Sequence, residues 1–148
     1  MSLKARIQED VKNAMRAQER GRLAVLRLVS AAIKQKEVDE RVELDDTQVL
    51  AVLEKMVKQR RESLEQYQKA NRSDLADQEQ YELDIIQAYL PEPLGEDELA
   101  RIISETINEL GASSVRDMGP VMNALRDKVQ GRADMKAVSQ VVKNQLMA

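Results

Sequence analysis

Apolar residues recur every three or four positions along most of this chain, and strand-like alternation is found nowhere. Leu3, Ile7, Val11 and Met15 define a first helical stripe. From Leu23 to Val38, the residues Leu23, Val25, Leu26, Leu28, Val29 and Ile33 wrap most of a helix circumference, which predicts the most buried helix of the molecule. The acidic turn "ELDDTQ" then offers Asp45 or Asp46 as an N-cap for a long helix carrying Val49, Leu53, Met56, Leu64 and Tyr67 towards Asn71. Ser73 is placed to cap a fourth helix with Tyr81, Ile85 and Tyr89 on one face.

Glycine and proline divide the chain. Residues 1 to 90 contain Gly21 alone and no proline, whereas residues 91 to 148 hold four glycines and all three prolines. "PEPLG", Pro91 to Gly95, cannot continue a helix and reads as an extended linker. The boundary falls there, giving an N-terminal lobe at 1–92 and a C-terminal domain at 93–148.

Three shorter helices are expected in the second part. Leu99, Ile103, Ile107 and Leu110 form one stripe, with Gly111 as its stop. Ser114 begins a turn, and Pro120 lies near the start of the next helix, where its missing N–H is not needed. That helix buries Met118, Val121, Met122, Leu125 and Val129 and stops at Gly131. Asp134 caps the last one, whose apolar face is Met135, Val138, Val142 and Leu146. The fold class is therefore all-α and two-lobed: a bundle of about four helices followed by a three-helix tail.

Composition narrows the chemistry more than any motif does. Histidine, cysteine, tryptophan and phenylalanine are all absent. That removes thiol nucleophiles, imidazole bases, Ser–His triads, disulfides and Cys/His zinc sites. Any metal would need oxygen ligands alone, which favours magnesium or calcium; no cofactor or metal site is expected. No stretch approaches the roughly 18 apolar residues that span a bilayer, and "MSLKARIQED" lacks a signal core. The expectation is a soluble, cytoplasmic protein without membrane association.

Charge is abundant, at 33% of residues, but the net is only −3, so a global basic charge for nucleic acid is missing. Its distribution is uneven. Residues 12 to 36 carry seven Lys/Arg against one acid and residues 55 to 61 carry four cations, while residues 73 to 109 carry eleven acids and one arginine. Interlocking helix faces explain this, and so does a basic RNA-facing side with an acidic side turned away.

Several side chains have two readings. Arg60 lies near the apolar stripe of the third helix, either paired with Glu79 or Glu82 or free to bind an anion. Glu79 and Glu82, three apart, share a helix face, but bundle di-metal sites add a Glu-x-x-His motif that a chain without histidine lacks. Tyr67, Tyr81 and Tyr89 lie on apolar stripes and read as core rather than as base-stacking platforms.

The segment "DMGPVMNALRDKVQGRADMK" is the densest candidate. Its glycines and proline are explained as helix stops and starts, but its cations are not needed for a core. Arg126, Lys128, Arg132, Lys136 and Lys143 face only Asp127 and Asp134 between residues 126 and 148. A local basic patch of this kind suits phosphate-backbone contact, and equally a solvated surface.

The segments "LRLVSAAIKQKEVDER", "KQRRESLEQYQKANRSDLADQEQYELDIIQAYLPEPL" and "DMGPVMNALRDKVQGRADMKAVSQVVKNQL" resemble the YqeY family over essentially the whole chain. The last of them also resembles the tail domain of GatB, the B subunit of the glutamine-dependent aspartyl/glutamyl-tRNA amidotransferase. The resemblance implies an all-helical, two-lobed protein connected with tRNA, because that tail is the part associated with gripping tRNA. Arg132, Ala133 and Asp134 match its "GRAD" frame, and Lys136 and Lys143 match the basic positions that follow. Met135 departs from it, since the family often places glycine there.

Nothing resembles the catalytic body of the amidotransferase. A label such as carbon–nitrogen ligase with glutamine as amido donor would belong to that enzyme, and catalysis by this chain alone is not expected. The expected role is an accessory module binding tRNA or its amidotransferase by shape and phosphate contact, without DNA. Two others stand beside it: a component of glutamine-dependent amide transfer, and a protein-interaction adaptor using the acidic 73–109 surface.

Overall fold

A computed structural model describes residues 1–147 and divides the chain into two compact units, Met1–Leu90 and a second from Pro91 onward. All regular structure among the described residues is helical.

The first unit holds α1 (Leu3–Arg16), α2 (Arg20–Glu40), α3 (Asp46–Lys69) and α4 (Ser73–Gln87). Ser2 caps α1 by accepting from the Ala5 N–H at 3.0 Å. Asp45 caps α3 in a reciprocal box: its carboxylate accepts from the Gln48 N–H at 2.9 Å, and the Gln48 side chain accepts from the Asp45 N–H at 3.0 Å. Asp46, the other cap candidate, is the first helical residue and accepts from the Leu3 N–H at 2.9 Å. Ser73 likewise begins α4 rather than capping it; Arg72 occupies the cap position and closes onto Asp74 at 3.1 Å.

The core of this unit is built on Ile7, Leu26, Val29, Val49, Leu53 and Ile86, each buried to within 1% of complete. It is α3, with Val49, Val52, Leu53, Met56 and Val57, that buries most. The expectation for α2 is corrected: Val25, Leu26, Val29 and Ile33 are buried, but Leu28 and Val38 stay 46% and 60% exposed. On α1 the buried positions are Ile7 and Ala14, the latter one residue before the exposed Met15. Only one tyrosine is core. Tyr89 is buried, Tyr67 is half-buried, and Tyr81 is exposed. The Tyr81 hydroxyl lies over Gly21, 3.0 Å from where a side-chain carbon would begin, so Gly21 is the place on α2 where that ring is accommodated.

The second unit holds α5 (Glu96–Leu110), a single 3-10 turn (Val115–Asp117), α6 (Met118–Val129) and α7 (Met135–Met147). Glu96, Asp97 and Glu98 fill the first turn of α5, where the helix dipole favours negative charge. Gly111 (φ 64°) and Gly131 (φ 78°) take left-handed conformations, Gly111 directly after α5 and Gly131 in the turn after α6. Pro120 is the third residue of α6, still inside the turn that has no intrahelical partner for its N–H. Asp117 organises the approach by accepting from the Ser113 and Ser114 N–H groups at 2.9 and 3.2 Å. The core is Ile103, Val121, Leu125, Val129, Val138 and Val142, all fully buried, with Leu146 at its edge.

Candidate nucleic-acid interface

The five cations of the basic segment end up in three different situations. Arg126 and Lys128 stand in the last turn of α6, Arg132 in the turn after it, and Lys136 and Lys143 on α7. Val121, Leu125 and Val129 commit one side of α6 to the core, and Val138, Val142 and Leu146 do the same for α7. Arg126, Lys136 and Lys143 fall outside those stripes and are exposed. Lys136 and Lys143 are seven residues apart, so they share a side of α7 about 10 Å apart along the axis.

Lys128 is also exposed, but its ammonium is engaged. Its ammonium donates to Thr106 Oγ1 at 2.9 Å and pairs with Glu109 at 3.1 Å, both on α5. Thr106 is completely buried and donates its own hydroxyl proton to the Ile102 carbonyl at 2.8 Å. Lys128 therefore satisfies a buried hydroxyl and ties α6 to α5. Arg132 is half-buried and also structural. Its Nε donates to the Glu92 carbonyl at 3.1 Å, and its own carbonyl accepts from the Leu94 N–H at 2.8 Å. These two bonds fasten the "PEPL" segment to the α6–α7 turn. Asp134 accepts from the Lys136 N–H at 3.1 Å, capping α7.

Of the basic patch, then, Arg126 and Lys136 flank one turn, Lys143 continues along α7, and none of the three pairs with a carboxylate among the described residues. The signal for Lys128 was present but indirect, whereas nothing local marked the Glu92 carbonyl that holds Arg132. Thr106 sits on the apolar stripe beside Ile103, where a hydroxyl needs a partner, and Glu109 lies one turn on.

The other charged candidates are in the first unit. Arg60 makes no ion pair with Glu79 or Glu82; its guanidinium reaches the Met56 carbonyl at 3.4 Å, and its Nε is buried without a partner. Burial raises the Glu79 carboxyl, the neighbouring Glu82 adds to this, and Arg60 opposes both. Glu37 pairs with Lys4 at 2.8 Å and accepts from the Leu44 N–H at 2.9 Å. The bond from Lys4, then that from Leu44, holds its carboxyl below the ordinary range. Tyr89 donates to Asp10 while Arg6 lies over its ring, 4.9 Å from the centroid. No cluster of three or more acidic side chains suited to a metal occurs among the described residues, and no described helix is long and apolar enough to cross a membrane.

Over 140 residues the chain is 30% identical to "Altered inheritance of mitochondria protein 41, mitochondrial" of Pyrenophora tritici-repentis, covering 93% of this chain and 77% of that protein. The protein of the same name from Clavispora lusitaniae is 30% identical over 129 residues, covering 85% of this chain and 75% of the relative. That of Eremothecium gossypii is 39% identical over 87 residues, covering 58% of this chain and 48% of the relative. Residues 4–146 match the family model described as "Yqey-like protein", and the chain belongs to the YqeY family.

Proposed function

We propose that this chain is a non-catalytic binding module that docks folded tRNA through its second unit and serves the tRNA amidotransferase as an accessory factor in the cytoplasm. One observation supports the reading above the rest. Arg126, Lys136 and Lys143 are exposed around the α6–α7 turn and along α7 and, among the described residues, pair with no carboxylate, although acids outnumber bases over the whole chain. Cations without carboxylate partners are free to replace the counterions of a phosphate backbone. No aromatic side chain stands among them, so recognition rests on backbone shape rather than on base stacking. Lys128 and Arg132 support the surface by holding α5 against α6 and the Pro91–Leu94 segment against the α6–α7 turn.

Titration of folded tRNA at several salt concentrations tests this. Wild-type binding should weaken steeply with salt and should not be displaced by duplex DNA. Each phosphate contact contributes a slope of about 0.7–0.9 in log K against log salt. The triple variant Arg126→Gln/Lys136→Gln/Lys143→Gln should therefore flatten the dependence by about 2 to 3. Unchanged affinity and slope in that variant would refute the assignment.

A further inference from the structure

The exposed side of α2 carries apolar and cationic side chains that the α6–α7 cations do not account for. The core takes Val25, Leu26, Val29 and Ile33 from one face of this helix. On another face stand Ala24, Leu28, Ala31, Gln35 and Val38, all exposed. Their spacing of four, three, four and three is the spacing of a helix-pairing seam. Leu28 is 46% exposed and Val38 60%, and Val42, just past the helix end, adds a third apolar group at 46%. α1, α3 and α4 pack against α2, yet among the described residues this second face stays exposed.

Charge identifies the partner of this face. Arg20, Arg27 and Lys34 recur every seven residues along one flank of the seam, and Arg41 continues the series at the C-cap. All four are exposed, and none forms an ion pair among the described residues. In a paired helix this is the flanking row that selects a partner by charge. The other flank carries Val25, Ala32 and Asp39, and Asp39 is engaged by the Gln35 amide at 2.8 Å.

We propose that this face docks an acidic amphipathic helix of a partner protein, with apolar residues at paired-helix spacing and Glu or Asp along one flank. A second copy of this chain fits poorly. Antiparallel pairing sets the cationic rows against each other, and parallel pairing at heptad register matches only Lys34 with Asp39. Nucleic acid would use the cations but leave Leu28, Ala31 and Val38 unserved. Ala24 and Ala31 leave room for larger side chains from the partner. The seam from Ala24 to Val38 covers about 21 Å of axis, which places the contact among small, reversible interfaces.

The probe is a synthetic three-heptad helical peptide with leucine at the seam positions and glutamate along one flank. It is added to the full chain and read by fluorescence anisotropy and by hydrogen exchange. A peptide with lysine in place of glutamate is the control. Saturable binding of the acidic peptide is expected, with added exchange protection over residues 24–38. Arg27→Glu/Lys34→Glu should weaken binding at least tenfold, and Leu28→Ser/Val38→Ser several-fold. Both pairs lie on exposed positions, and unchanged melting of each variant confirms folding. The proposal is overturned if the acidic peptide does not bind at low salt, if the lysine peptide binds equally, or if the Leu28/Val38 variant binds unchanged. It also falls if sedimentation shows a dimer abolished by Leu28→Ser/Val38→Ser, which would give the seam to a second copy. Loss of tRNA binding in Arg27→Glu/Lys34→Glu, with no competition from the peptide, would give it to RNA.

Discussion

Glu37 shows how one carboxylate organises the entrance to the first unit. It binds Lys4 of α1 at 2.8 Å and the Leu44 N–H beyond α2 at 2.9 Å, so it joins three stretches of chain. These bonds lower its carboxyl below the ordinary value of 4.5. A carboxyl lowered by folding contributes stability above its unfolded value and loses that contribution as pH falls through the lowered one. Lys4 is raised above 10.5, so its half is complete below that value and disappears only in strong base. Thermal melts of wild type and Glu37→Gln should therefore differ most near neutrality and converge as the pH drops through the range below 4.5. A constant gap from neutral to acid pH would show that charge is not the cause. Tyr89 supplies a second case. Burial, and then its bond to Asp10, pushes its phenol up, so the hydroxyl stays a donor throughout the physiological range. Tyr89→Phe should cost about 1.5–3 kcal/mol in denaturant unfolding, the worth of a bond to a charged acceptor. A loss within error would mean that Asp10 is equally well served by water.

Helix boundaries decided how much of the fold could be read in advance. Where a stop used glycine or a start used Asp45, its place was visible, and the capping box at Asp45–Gln48 bears this out. The turns of the first unit use other residues. Gln18, Arg41 and Asn71 sit at φ 58°, 55° and 55°, left-handed conformations that a bulky side chain disfavours. Gln18→Gly should therefore stabilise the protein by about 0.5–1 kcal/mol, relief of that strain outweighing the extra freedom glycine gives the unfolded chain. An unchanged or lower denaturation midpoint would mean that Gln18 makes compensating contacts. Periodicity had a different limit. It marked Leu28, Met15 and Tyr81 as apolar positions on a helix, but burial needs a facing element, and helical spacing does not reveal one. The basic segment has the same limit. Counting charges from 126 to 148 could not disclose Glu109, 19 residues before Lys128, or the Glu92 carbonyl, 40 residues before Arg132. What the chain did disclose was the cluster of cations; which of them remain free is a tertiary result.

At the scale of the molecule, the two units carry separate cores, one around Leu26, Leu53 and Ile86 and one around Ile103, Leu125 and Val142. The second is small, with seven buried apolar residues among those described, and a core of that size leaves little margin. Leu125 is completely buried within it. Leu125→Ala removes a large side chain from a packed interior, a change that costs about 2–5 kcal/mol. That is enough to unfold a unit of marginal stability. Hydrogen exchange should then show lost protection over α5, α6 and α7, with α1 to α4 still protected. The two proposed surfaces separate under the same substitution. tRNA binding through Arg126, Lys136 and Lys143 requires the α6–α7 turn and should disappear. Docking of the acidic peptide on Ala24, Leu28 and Val38 requires only α2 and its own core, and should persist. Loss of protection throughout the chain would mean that the cores are coupled. Loss of both binding activities with α1 to α4 still protected would mean that the α2 seam does not act alone.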